Sequence, residues 1–254
     1  MFKEFHHQVR GRGHVTEGVV CQDRTRFASV GGVQVMCLAD GAGSASQSAH
    51  GAQALVDAGV KLLADSFDEF AARDDGAQVK VEIIERLIER LETVASRRKC
   101  GIRDLASTFL GVAAARGRFI VVHVGDGVIG YVKHGELKVV SAPDNDEFAN
   151  ETTFVTSSGA VASMRLLRGS LEGVSGFILM SDGPANSLFD HRAKQLAPAC
   201  LKMIKVVSEA PRRSLKYPSY KKQLRRLLET RIRNATKDDC SLGILGRPIE
   251  PPAR

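Results

Sequence analysis

LASTFLGVAAARGRFIVVHVGDGVIGYVKHGELKVV, residues 105–140, is where the hydrophobic period of this chain changes. Apolar runs near 109–115, 119–124, 128–133 and 137–140 are interrupted at Gly117, Gly125-Asp126-Gly127 and Gly135. Short β-rich runs separated by glycine predict neighbouring strands joined by tight turns, a meander. Residues 1–38 also read as short strands, with two runs between Arg26 and Leu38 folding back at Gly31-Gly32. Further strands are predicted near 152–157, 176–181 and 240–246. The helical period appears over 46–66. It returns over 79–98, where Val79, Ile83, Ile84, Leu87, Ile88, Leu91 and Val94 share one face. Residues 192–209 and 219–234 also read as helices, separated by Pro211 and Pro218. Helices come in pairs, strands in meanders, and βαβ alternation is scarce. The expectation is an α+β fold of antiparallel sheets with helices packed outside. No repeat or linker interrupts the pattern, so one domain is expected over 1–247, with PIEPPAR (248–254) as a tail.

The chain has 254 residues, 43% of them hydrophobic and 26% charged, with 24 Gly and 8 Pro. This excludes disordered and collagen-like classes, and the length allows a core that needs no staples. The longest apolar runs, such as Phe119–Val122 and Phe177–Met180, are too short to span a bilayer. The opening MFKEFHHQVRGRGH lacks the apolar stretch of a signal peptide. Five Cys (21, 37, 100, 200, 240) without a C-x-x-C pair predict a reduced, cytoplasmic protein. The net charge of +7 is concentrated in residues 201–234, which hold eleven basic and two acidic side chains. Such a segment can attract anionic substrates, nucleic acid or an acidic partner, or it can be a solvated helical face. With no Trp and three Tyr, the chain is poorly equipped to stack nucleic-acid bases.

The aspartates fall at telling places. Asp40 follows VMCLA, Asp126 follows IVVHVG and Asp182 follows FILMS, each with Gly next. Asp238-Asp239 precede CSLGIL, and Asp23 precedes RTRFASV. Asp-Gly is ordinary turn chemistry at any one site. As a set, carboxylates at strand ends can converge on one cleft, where only a cation would offset their charge. Oxygen ligands of this kind suit Mg²⁺ or Mn²⁺. Other motifs fail: no Gly-Lys-Ser/Thr completes a P-loop, and His6, His7 and His14 lack the spacing of a zinc protease site. The two Ser-x-x-Lys matches, Ser96–Lys99 and Ser219–Lys222, lie in basic helical stretches, and His123 reads as a core or edge histidine.

Taken in order, CQDR (21–24), LADGAGS (38–44), LASTFLGVAAA (105–115), HVGDG (123–127), MSDG (180–183) and DDCSLGIL (238–245) resemble the segments of metal-dependent protein phosphatases of type 2C. The likeness is to a compact bacterial serine/threonine phosphatase and spans most of the chain. It implies an α-β-β-α sandwich with two central antiparallel sheets. It implies a hydrolase with two Mg²⁺ or Mn²⁺ ions bridged by a nucleophilic water, acting on phosphoserine and phosphothreonine proteins. By resemblance Asp40 would bridge both ions and the Gly41 carbonyl would bind one. Asp182 and Asp238 would complete the second set. Asp23 would act directly or through water, and Asp126 would hold a weaker third ion. Asp239 stands where the family has Asn, and ranks below Asp238.

Two departures stand out. Eukaryotic members often carry His after Asp-Gly, a proposed general acid, where this chain has Ala42. The family's phosphate-binding Arg falls where this chain reads Gly18-Val19-Val20, leaving Arg10, Arg12 and His14 as candidates to bind phosphate. Two rival readings follow: a pseudophosphatase-type module that binds a phosphoprotein or anionic partner, and a two-metal nuclease or phosphodiesterase.

Overall fold

The computed structural model describes residues 1–143, 152–211 and 219–248. Its strands are β1 (Lys3–Val9), β2 (Arg24–Val30), β3 (Val33–Ala39), β4 (Phe109–Ala115), β5 (Arg118–Val124), β6 (Val128–Lys133), β7 (Glu136–Ser141), β8 (Arg165–Ser170), β9 (Val174–Met180), β10 (Phe189–Asp190), β11 (Gln195–Leu196) and β12 (Cys240–Gly246). They form two antiparallel five-stranded sheets, ordered β1-β12-β9-β6-β7 and β2-β3-β4-β5-β8, plus the small β10-β11 ribbon. The helices are α1 (Arg12–Glu17), α2 (Ser48–Asp65), α3 (Phe67–Ala72), α4 (Gly76–Arg98), α5 (Ala160–Ser163), α6 (Asp182–Leu188), α7 (Pro198–Glu209) and α8 (Ser219–Leu227). A π-helical turn, Leu228–Ile232, continues α8.

Strand alternation builds three layers of core. Met36 and Leu38 of β3 meet Phe177 and Leu179 of β9 and Leu245 of β12 between the sheets. Val35, Cys37 and Ala39 point the other way, onto Leu55, Leu63, Leu87 and Leu91 of α2 and α4. On the far side, Ile178, Met180 and Ile244 pack under Met203, Ile204 and Val207 of α7 and Leu224 of α8. Strands buried on both faces read as continuous apolar runs, which is why β3, β4 and β9 carry no polar alternation. The α-β-β-α sandwich expected from the sequence is the fold observed.

The hairpin at Gly31-Gly32 is present. Both glycines have positive φ, 56° and 77°, as a two-residue turn matched to strand twist requires. Several local readings need correction. The stretch 105–140 is two hairpins rather than one meander: β4 pairs with β5 and β6 with β7, while Gly125-Asp126-Gly127 carries the chain from one sheet to the other. No strand forms at 152–157, where a turn leads into α5; the strand is β8, at Arg165–Ser170. The predicted helix 192–209 begins only at Pro198, because 189–196 folds as the ribbon. The short helices α1 and α6 were not anticipated. Residues 249–254 of the expected tail, and Arg212, Arg213 and Lys216 of the basic segment, lie outside the described residues.

Candidate active site

The sheet registers bring the aspartates to one end of the sandwich. Ala39, at the end of β3, faces Arg24 at the start of β2, so Asp40 and Asp23 are neighbours. Met180, at the end of β9, faces both Leu242 of β12 and Val128 of β6. That places Asp182 beside Asp238-Asp239 and the Asp126 turn.

Asp40 is held by its backbone. Its N–H donates to Thr108 Oγ1 at 3.0 Å, and Thr108 N–H donates to its carbonyl at 2.8 Å. Gly41 pairs with Ser107, and Ala42 N–H donates to the Ala106 carbonyl at 2.9 Å. Asp23 is fully buried, and Ser181 donates to its Oδ2 at 2.8 Å. The Ser181 hydroxyl in turn accepts from Ser241 N–H at 3.1 Å. Asp182 opens α6, and Gly183 behind it is a glycine for a steric reason: a Cβ there would lie 2.0 Å from the Asp239 carbonyl oxygen. Asp126 accepts from Thr152 Oγ1 at 2.6 Å.

The electrostatics are those of crowded acids. The Asp40 carboxyl lies close to those of both Asp23 and Asp182, and burial and their two charges push its pKa well above the usual range. Burial, reinforced by the charge of Asp239, raises Asp23 to about 7. Burial, with the charges of Asp238 and Asp126, raises Asp182 to about 6. One oxygen of Asp23 and one of Asp182, Oδ1 in each case, are buried with no hydrogen-bond partner. Among the described residues no three His, Cys, Asp or Glu side chains are spaced as a formed metal cage; the carboxyls touch one another instead. Such contact requires protons or cations. The donor set of carboxylate oxygens, two of them unpartnered, fits hard divalent cations.

Asp239 has a different environment from Asp238. It is buried, and its two oxygens accept from Gly11 N–H and Gln22 N–H, each at 2.6 Å. His14 Nδ1 lies 3.0 Å from its Oδ1. Asp239 therefore clamps both ends of the segment 11–22 against the site, while Asp238 accepts from the Asp239 N–H at 2.8 Å. Arg12 Nε donates to the Thr236 carbonyl at 3.1 Å, and Arg10 reaches the Val19 carbonyl at 3.4 Å. The sequence reading passed over Thr108 and Ser181 as individual residues, though both lie in the segments LASTFLG and MSDG. His123, read from the sequence as a core or edge histidine, is buried with Nδ1 2.6 Å from Ser141 Oγ and Nε2 3.0 Å from the Gly125 carbonyl, beside the Asp126 turn.

The family model described as Protein phosphatase 2C matches residues 10–229. Serine/threonine-protein phosphatase 3 of Escherichia coli K12 is 28% identical over 162 residues, which cover 61% of this chain and 62% of that protein. The chain thus aligns with less than two thirds of that relative's length. The solved serine/threonine phosphatase Stp1 of Staphylococcus aureus has a TM-score of 0.63 at 14% identity, covering 99% of this chain and 96% of its own. A serine/threonine phosphatase of S. agalactiae has a TM-score of 0.60 at 15% identity, covering 98% and 100%. At these identities the two structures speak to the fold alone.

Proposed function

The chain belongs to the protein phosphatase 2C family, and on that premise we propose that it is a protein phosphatase, a hydrolase that removes phosphate from phosphoserine and phosphothreonine residues. One observation carries the reading: the contact of Asp23, Asp40 and Asp182 at one end of the sandwich, with two carboxylate oxygens buried and unpartnered. The name of the Escherichia coli relative supports the substrate class. Two cations, Mg²⁺ or Mn²⁺, would be held by Asp40, the Gly41 carbonyl, Asp182 and Asp238. Asp23 would act directly or through water, and Asp126 would serve a weaker third ion. Asp239 is left out of the set, since backbone N–H groups already occupy both its oxygens.

When bound, such ions lower the pKa of water and offset charge on the phosphoryl oxygens. The chain's own part is to hold the acids in place. Thr108 fixes the Asp40 backbone, Ser181 orients Asp23, and the Asp239 clamp holds the segment that carries Arg12 and His14. Arg10, Arg12 and His14 remain the candidates to meet the phosphate. Ala42 has no proton to give, so the chain offers the leaving oxygen no donor at that position. Five free thiols support action in the reducing cytoplasm.

The test is hydrolysis of an aryl phosphate, a phosphoserine peptide and single-stranded DNA, with and without Mn²⁺. Metal-dependent release of phosphate from the first two is expected. Cleavage of DNA would favour the nuclease reading. Binding of the phosphopeptide without turnover would favour the pseudophosphatase.

A further inference from the structure

Away from the carboxylate site, α7 and α8 cover the outer face of the β1-β12-β9-β6-β7 sheet. Between α7 and the α8 run, including its π-helical turn, lies a groove of about 540 Å³. Met203 and Val206 of α7 and Leu224 and Leu227 of α8 form its apolar floor. Lys202, Arg226 and Arg231 stand exposed along its rim, and among the described residues no acidic side chain lines it. Among the described residues none of these three cations makes an ion pair. The nearby Glu229 is taken up by His7 at 3.1 Å.

We propose that this groove docks an acidic amphipathic helix presented by a partner protein. Three unpaired cations around the groove, with no acid among them, are complementary to carboxylates on the occupant. The floor residues are three apart on each helix, and two neighbouring helices ridged in this way accept the apolar stripe of a third. None of the described residues lining the groove carries an aromatic ring, so they offer nucleic-acid bases nothing to stack on. The occupant is therefore a peptide with an apolar face flanked by Asp or Glu. This docking does not depend on the proposed catalytic reading.

The test is fluorescence anisotropy on the full chain with a labelled helical peptide of Leu, Ala and Glu, its leucines at three- and four-residue spacing. Lys202→Glu/Arg226→Glu/Arg231→Glu should weaken binding by about tenfold or more, and added salt should weaken binding to the wild type. Arg86→Glu/Arg97→Glu/Arg103→Glu makes the same change of net charge on exposed residues elsewhere, and should stay within about twofold of wild type. If charge reversal unfolds the helix pair, the Gln triple variant at the same three rim positions gives the same comparison. Turnover of an aryl phosphate should be unchanged by either set, so loss of docking and loss of chemistry are read separately. Equal loss in both triple variants would overturn the proposal. So would equal binding of a scrambled peptide whose leucines do not align, or tighter groove-dependent binding of a single-stranded oligonucleotide.

Discussion

Replacing Asp23 with Asn should stabilise the metal-free protein at neutral pH. Asp23 is fully buried, and its pKa stands at about 7 against 3.8 for an ordinary aspartate. Between those values the folded chain holds a proton that the unfolded chain releases. Stability therefore falls as pH rises through this window: the penalty is absent below 3.8 and complete above about 7. At 1.36 kcal/mol per pH unit the span amounts to on the order of 4 kcal/mol, an upper bound because Asp40 and Asp182 share the same protons. Asn is nearly isosteric with a protonated aspartic acid. Its carbonyl can keep the bond from Ser181, and its amide can donate to Asp40, where Asp23 needs a proton. The assay is thermal denaturation of wild type and Asp23→Asn in chelator across the window. With about 2–4 °C per kcal/mol for a chain of this size, the variant should melt about 10 °C higher near pH 8. The gap should close toward pH 4. Saturating Mn²⁺ should reverse the order near pH 8, since the variant has one fewer carboxylate near the ions. Equal melting near pH 8 in chelator, or a gap that persists at pH 4, would refute the reasoning.

Asp40→Ala or Asp182→Ala should lower aryl phosphate turnover by at least about 100-fold at saturating Mn²⁺ with the fold intact by circular dichroism; near-normal activity in either would remove that residue from the ligand set. Gly183→Ala forces a methyl against the Asp239 carbonyl and should cost about 1–3 kcal/mol in urea denaturation, with a matching loss of activity. Because Ala42 cannot donate a proton, kcat across a series of phosphate esters should fall steeply as the leaving-group pKa rises. Ala42→His should flatten that slope by speeding alkyl esters; a flat slope in the wild type would point to another donor.

What the sequence made legible follows from how local each signal is. The Gly31-Gly32 hairpin declares itself because a two-residue turn needs positive φ at both positions. Asp40 and Asp182 declare themselves because each ends an apolar strand. The edge strand β8 does not: RLLRGS mixes Arg165 and Arg168 with leucines and shows no alternation. The six-residue α1 has neither a side-chain cap nor a buried face to mark it. Gly125-Asp126-Gly127 reads as a hairpin turn whether its flanking strands pair or part into different sheets. The resemblance ranks Asp238 above Asp239, but that Asp239 turns onto the backbone of Gly11 and Gln22 is visible only in the fold.

The position of β12 also bears on how the protein is made. It is the last of the described strands, yet it lies inside its sheet, paired with β1 on one side and β9 on the other. A ribosome delivers β1 first and must hold it without its neighbour until Cys240–Gly246 emerges. Until then β1 has no sheet partner, Asp23 lacks the neighbouring charge of Asp239, and the Gly11 and Gln22 N–H groups have no acceptor in Asp239. A nascent or truncated chain ending before Asp238 therefore lacks the completed carboxylate cluster.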